Sequence, residues 1–229
     1  IANYKSAILF YWKNLTDFEV PAGDTVLRDL LTSFKRDKPA AARTVVPWNL
    51  QLVLEVFKSG KFLDYAMISD KELTLKTVFL LALASGKRRS ELHALSRADV
   101  SFDVGESPGM TLKPVASFIS KTQMKTRGIG ALKPIFIPAM PMQAEDESSA
   151  DVLLCPVQCM KRYLEVSDAF RSPDQRRLFI PWRSGFSQDL KAQTLSNYLK
   201  QAIVFAYQSV QPEFLDSLKV RPHSVRHVA

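Results

Sequence analysis

Three consecutive cations, Lys87, Arg88 and Arg89, follow the glycine that closes the apolar run LALASG. Arginine presents a rigid fork of donors that matches phosphate oxygens, and it stays charged at physiological pH. Glu91, three residues after Arg88, can orient a guanidinium from the same helix. The stretch therefore indicates either an anion-binding arginine held against the core or cations that only decorate a helix end, where they suit the dipole.

A second cluster lies near the end of the sequence, where His223 and Arg226 are three residues apart in HSVRH. On a helix this spacing places both side chains on one face. A histidine beside an arginine suits an anionic centre that also needs proton transfer. The alternative is a surface histidine next to an unrelated arginine.

Two lysines, Lys121 and Lys125, lie between these clusters in the segment FISKTQMKTRGIGALKPIFIP. The segment has the pattern of a β-hairpin. A lysine on such a hairpin can protonate a leaving oxygen as a general acid, although most hairpin lysines are simply solvated. Either lysine fits this role.

The composition favours a polyanionic partner. The 229 residues include 31 Lys and Arg against 23 Asp and Glu, which gives a net charge of +8. No apolar run approaches the roughly 20 residues of a membrane span, and the first residues lack the pattern of a signal peptide. Cys155 and Cys159 are expected to be half-buried reduced thiols, since no histidine cluster completes a zinc site.

Helical periodicity and capping residues predict most of the architecture. Asp24 and Asp70 are expected N-caps, Pro47 is expected in a first helical turn, and Gly86 is expected at a helix C-terminus. The predicted helices cover residues 2–16, the segment after Asp24, the segment after Pro47, the segment from Asp70 to Gly86, residues 156–169 and residues 189–208.

Short β-branched or aromatic runs separated by Gly and Pro predict a small antiparallel sheet from VSFDV, SFISKTQM and KPIFIPA. RRLFIPW is predicted to be a short strand or an extended segment. The expected fold class is α+β and mostly helical. The basic, Pro-containing stretch 37–46 is the expected linker between residues 1–36 and a larger domain of residues 47–229.

In this order, the three motifs resemble those of the tyrosine recombinases, the phage integrase and Xer group. SGKRRSELHAL is similar to their G-x-R-x-S-E-L motif, SKT to their catalytic lysine segment, and HSVRH to their H-x-x-R motif. The resemblance covers about residues 44–229. The stretch KPAAARTVVPWNLQLVLEVF is most similar to recombinases of DIRS-type retroelements. Residues 1–36 resemble the end of a helical core-binding domain.

The resemblance implies catalytic roles for Arg88, Lys121, His223 and Arg226, with support from Glu91 and with Lys125 as the alternative hairpin lysine. It implies cleavage by a tyrosine that forms a 3′-phosphotyrosine, without metal or other cofactor. Lys87 and Arg89 replace residues that are usually apolar in the family. Together with Lys38 and Arg43 in the linker, they are expected to contact DNA phosphates.

The implied partner is double-stranded DNA, with self-association on paired sites and no membrane. The implied location is the nucleus for a eukaryotic retroelement and otherwise the cytoplasm. Because no tyrosine follows Tyr207, we expect these 229 residues to bind DNA without cleaving it. The alternatives are a non-catalytic DNA-binding or regulatory protein on the same scaffold, and a basic helical interaction domain with no nucleic-acid role.

Overall fold

The computed structural model describes residues 33, 48–119, 133–140, 150–183, 185, 187–215, 218, 220 and 225. The chain divides into two compact units, Ile1–Val45 and Val46–Ala229, and every element named below lies in the second unit. The helices expected over residues 2–16 and after Asp24 lie outside the described residues, as does the basic stretch 37–46.

The described part of the chain contains five α-helices. They are α1 (Leu50–Phe57), α2 (Asp70–Ser85), α3 (Arg89–His93), α4 (Pro156–Asp168) and α5 (Ala192–Val210). The helix predicted at 156–169 is confirmed, whereas the one predicted at 189–208 begins and ends slightly later. Asn49 caps α1 by accepting the Leu52 N–H, so this helix begins beyond the turn expected to contain Pro47.

Helix α2 forms the centre of the core. Every residue from 73 to 82 is buried, because the helix packs against α4, α5 and the strand Ile135–Pro138. Its N-cap is Ser69 rather than Asp70: the Ser69 hydroxyl accepts the Glu72 N–H, and Glu72 accepts the Ser69 N–H. Gly86 ends the helix with a φ of 57°, as predicted, in the left-handed conformation that glycine adopts without strain.

A three-stranded antiparallel sheet follows α3. Its strands are β1 (Leu95–Asp103), β2 (Gly109–Pro114) and β3 (Ile135–Pro138), in the order β1-β2-β3. Met110 and Leu112 are buried on the core side of β2. A Cβ on Gly109 would lie 2.7 Å from the Ile137 carbonyl oxygen, so only glycine fits this close pairing.

The expected middle strand, SFISKTQM, is wrong where the structure describes it. Residues 117–119, the described part of this run, form the end of a turn and irregular chain, and the middle strand is GMTLKP instead. Its two buried side chains face the core, and the tight Gly109 start fixes the pairing with β3. The remainder of SFISKTQM lies outside the described residues.

The segment RRLFIPW is extended and tied to the sheet by main-chain bonds. Ser96 and Arg177 form an isolated antiparallel bridge, and the Leu178 N–H donates to the Leu95 carbonyl at 2.8 Å. Leu178, Phe179 and Ile180 are buried, so this segment joins the sheet to the helical core. The observed class is α+β with a small antiparallel sheet, as predicted.

The two cysteines are free thiols, and both are buried rather than half-buried. The hydroxyl of Tyr65 lies 3.3 Å from Cys159 Sγ. Burial raises the pKa of the Cys159 thiol, which favours the neutral form. Among the described residues, no helix is long and apolar enough to cross a bilayer.

Candidate functional site

Arg88 stands at the junction of two helices. Gly86 turns the chain out of α2, and Arg88 is the N-cap of α3, with a φ of −71° and a ψ of 152°. Its side chain is partly exposed, and no hydrogen bond or ion pair joins its guanidinium to another described residue. A side chain placed in this way is held at its base, because its backbone lies between the end of α2 and the start of α3.

Glu91 supports Arg88 through the main chain. Its Oε2 accepts the Arg88 N–H at 2.7 Å, which satisfies one of the donors left open at a helix start. The sequence led us to expect a contact with the guanidinium, and among the described contacts the carboxylate holds the peptide instead. Glu91 therefore fixes where the Arg88 side chain begins.

Arg89 points to helix α5. Its Nη1 donates to Ser196 Oγ at 3.0 Å and to Gln193 Oε1 at 3.3 Å. Ser196 is fully buried, so this bond satisfies a hydroxyl that water cannot reach. We expected a DNA contact from Arg89, whereas its described contacts give it a structural role between α3 and α5.

His93, which the sequence analysis did not select, closes the other end of α3. Its Nε2 lies 2.6 Å from the carbonyl oxygen of Leu190, and Arg177 Nη1 donates to the His93 carbonyl at 3.1 Å. Burial lowers the pKa of this imidazole, and the cations of Arg177 and Arg89 act in the same direction. Only its position directly after the S-E-L of the G-x-R-x-S-E-L motif could have pointed to it.

Lys87 and Glu91 both line a small cleft. Lys133, at the start of the chain leading into β3, lines the same cleft, together with Pro114 and Phe118. Its volume of about 20 Å³ has room for one water molecule. Two lysines from distant parts of the sequence therefore lie close to the Glu91 that holds Arg88.

A larger cleft, of about 490 Å³, lies along the start of α5. Its lining is mixed: the cations Arg183 and Lys191, the carboxylate of Asp189, several polar side chains, and the rings of Trp182 and Tyr198. The exposed Arg183 and Lys191 add positive charge to this side of the domain. The α5 residues that bind Arg89 belong to the same first turns of this helix, so the two features share one element.

The other predicted site residues lie outside the described residues: Lys38, Arg43, Lys121, Lys125, His223 and Arg226. In sequence, Lys121 and Lys125 fall in the connection between β2 and β3. Val225, inside the H-x-x-R motif, is described and is buried in the core. Whether the three motifs share one site stays a prediction.

In chemical terms, the described residues place a partly exposed guanidinium, Arg88, next to Lys87, with the Glu91 carboxylate bonded to the Arg88 N–H. A fixed guanidinium with neighbouring ammonium groups can bind a phosphate oxygen and stabilise charge that grows on it. No protein-family model matches the chain, and no curated protein matches its sequence. Function is therefore inferred from this geometry and from the motifs.

Proposed function

We propose that this chain is the DNA-binding and catalytic core of a tyrosine recombinase, an enzyme that cleaves and rejoins DNA through a 3′-phosphotyrosine. The observation that carries the proposal is the placement of Arg88. The guanidinium of Arg88 has no described partner and lies on the short turn between the buried helix α2 and helix α3. Helix α3 is in turn bonded to α5. Such a mounting preorganises a charge before the substrate arrives.

In this proposal Arg88 binds a non-bridging oxygen of the scissile phosphate and stabilises the charge of the pentacoordinate transition state. Arg226 supplies the second guanidinium and His223 holds an oxygen or manages the proton of the attacking tyrosine. Lys121, or Lys125 in the alternative register, protonates the departing 5′ oxygen. Bond energy is conserved in the phosphotyrosine, so rejoining needs no nucleotide.

Charge and motif order support duplex DNA as the substrate. The chain carries a net charge of +8. The exposed Lys133 shares a cleft with Lys87, and the exposed Arg183 and Lys191 line the cleft at the start of α5. Phosphate contacts of this kind position a protein on DNA without reading its sequence. Assembly on paired DNA sites is part of the proposal.

The test is covalent trapping on a nicked suicide substrate, in a protein where this chain is followed by the tyrosine that the recombinase resemblance implies. The expected result is a protein–DNA adduct that survives denaturation and contains 3′-phosphotyrosine. Binding of duplex DNA without any adduct would favour the non-catalytic DNA-binding alternative. No binding at low salt would contradict every DNA-directed function.

A further inference from the structure

His93 forms a hydrogen bond whose direction is fixed by its acceptor. The Leu190 carbonyl oxygen can only accept, so Nε2 of His93 carries the hydrogen and donates across 2.6 Å. Leu190 lies directly before the N-cap of α5, and His93 is the last residue of α3. The bond therefore joins the end of one helix to the entry of another.

Helix α3 depends on such contacts for its direction. It has only five residues, and a helix of this length has little stability of its own. Arg89 ties its first turn to Ser196 on α5, at 3.0 Å. The bond from His93 to the Leu190 carbonyl, together with the bond from Arg177 to the His93 carbonyl, ties its last turn, so both ends of this short helix are held.

The charged groups around the imidazole are Arg177, Asp189 and Arg89. Arg177 donates from its side chain to the His93 carbonyl, and its N–H donates to Asp189 Oδ1 at 3.0 Å. Asp189 thereby holds the segment from which Arg177 reaches α3. These bonds make the surroundings of His93 a built junction rather than a chance contact.

We propose that His93 is a positioning residue for Arg88: its bond to Leu190 fixes the end of α3, so that the guanidinium at the start of α3 keeps one direction. This inference rests on the proposed function of Arg88 as the phosphate-binding group. His93 itself touches no substrate and acts only through the orientation of α3.

The junction is sensitive to acid. The folded pKa of His93 lies below its unfolded value of about 6.5, because burial disfavours the imidazolium. Protonation at Nδ1 keeps the Nε2–H that donates to Leu190, and this bond and Asp189 favour the imidazolium, but burial and the cations Arg177 and Arg89 outweigh them. The stability that the neutral ring contributes is therefore complete above about pH 6.5 and is lost as the pH falls through the lower folded pKa. If protonation of His93 only added a positive charge to the protein, DNA binding would instead become stronger at acid pH.

The experiment measures amide hydrogen exchange and duplex DNA affinity in His93→Ala and His93→Gln. We expect His93→Ala to speed exchange of the Arg88 N–H by about three- to tenfold, the loss of one tertiary hydrogen bond. His93→Gln keeps a side-chain N–H and should restore most of the protection. The Cys159 N–H in α4, bonded to the Cys155 carbonyl at 3.0 Å, is the internal control and should not change.

An imidazole ¹⁵N spectrum of the unaltered chain gives a second readout that needs no variant to fold. Protonation of His93 at Nε2 alone at pH 8 is expected, and protonation at Nδ1 would overturn the inference. Unchanged Arg88 exchange in His93→Ala, or no rescue by His93→Gln, would also overturn it.

The DNA measurements separate this inference from the proposed function. If Arg88→Ala lowers affinity in the unaltered chain but not in His93→Ala, Arg88 needs His93 to be effective, as proposed. If Arg88→Ala lowers DNA affinity by the same factor in the unaltered chain and in His93→Ala, the positioning role is wrong while the proposed function stands. If Arg88→Ala changes neither affinity nor adduct formation, the proposed function fails, and the exchange result still decides whether His93 fixes α3.

Discussion

Arg89 and Ser196 are joined by a hydrogen bond of 3.0 Å although 107 residues separate them in the sequence. The serine hydroxyl is fully buried, and Arg89 is the described donor that reaches it. This bond makes the orientation of α3, and with it the base of Arg88, depend on helix α5.

The first prediction concerns this bond. Arg89→Ala should lower the free energy of unfolding by about 1–3 kcal/mol, because it leaves a buried hydroxyl without its partner. The double variant Arg89→Ala/Ser196→Ala should recover part of that loss, since the unpaired hydroxyl is then gone. Urea unfolding measures both values. Lys87→Ala is the matched control and should stay within about 0.5 kcal/mol of the unaltered chain.

Equal losses in Arg89→Ala and in Lys87→Ala would contradict the structural role of Arg89. Arg89 would then be a surface cation like Lys87, free to contact DNA phosphates as the sequence predicts. Strict additivity of the Arg89 and Ser196 losses would lead to the same conclusion.

The helical framework was predictable because its signals are local. The apolar run after residue 72 and the glycine at position 86 specify α2 and its end, and Pro156 marks the first turn of α4. Asp70 was chosen as the N-cap of α2 although Ser69 precedes it. The reciprocal bonds between Ser69 and Glu72 show why serine prevails there.

The middle strand was missed because its sequence carries weak signals. GMTLKP begins with glycine and ends with proline, both of which usually mark turns, and only Met110 and Leu112 alternate toward the core. Its pairing with β3 is a long-range event that a single sequence does not display. SFISKTQM has the better strand composition, yet its described residues, 117–119, lie outside the sheet.

Of the candidate site, the spacing of Arg88 and Glu91 was visible in the sequence, but their partners were not. Nothing local indicates that Arg89 binds Ser196 or that His93 binds the Leu190 carbonyl. These contacts depend on how α3 and α5 pack, which is a property of the folded chain.

The second prediction concerns Lys76, a lysine with no exposed surface in the middle of α2. Its Nζ donates to the Phe57 carbonyl at 2.9 Å and lies over the rings of Phe62 and Tyr65. Burial lowers its pKa, so the unfolded chain binds this proton more strongly than the folded chain does. Stability should therefore rise as the pH increases toward about 10.4, the pKa of an ordinary lysine.

Lys76→Met removes this titration while keeping a long side chain. Urea unfolding at pH 7 and pH 10 should show the unaltered chain gaining stability relative to Lys76→Met at the higher pH. A difference that does not change between the two pH values would show that Lys76 is solvated.

The third prediction concerns Asp168, which accepts from Arg97 Nε at 3.0 Å and from Arg171 Nε at 3.1 Å. These bonds, first that of Arg97, lower the pKa of the Asp168 carboxyl. Their contribution is present above the unfolded pKa of about 3.9 and is lost as the pH falls through the lower folded value.

Asp168→Asn should therefore lower the free energy of unfolding at pH 7 by about 0.5–1 kcal/mol, a modest value because the groups are partly exposed and screened by solvent. The difference in the free energy of unfolding between the unaltered chain and Asp168→Asn should become smaller in acid. Urea unfolding at pH 7 and pH 2.5 measures this gap. A gap of equal size at both pH values would assign the loss to packing rather than to charge.

The fourth prediction concerns the linker cations Lys38 and Arg43, expected to contact phosphates. Replacing both with alanine should weaken binding to all duplex sequences alike and reduce the slope of log K against log[salt] by about two. Fluorescence titration of two unrelated duplexes across a salt series measures both effects. A loss confined to one duplex would indicate base contacts, and an unchanged slope would remove these residues from the interface.

The most direct test of the account is the rate of covalent adduct formation by Arg88→Ala, in the tyrosine-containing protein described under Proposed function. Arg162 is the matched control, since it is a partly exposed arginine paired with Glu165 on α4 and its removal changes the net charge equally. Arg88→Ala should slow adduct formation by a factor of about 10²–10³, the effect of losing one preorganised charge, whereas Arg162→Ala should not.

A substrate with sulfur at the bridging 5′ position, which leaves without a general acid, should rescue Lys121→Ala but not Arg88→Ala. If this substrate rescues Lys125→Ala and not Lys121→Ala, Lys125 is the general acid and only the choice between the two lysines changes. Adduct formation at the same rate in Arg88→Ala, Arg162→Ala and the unaltered protein would contradict the central claim that Arg88 acts on the scissile phosphate.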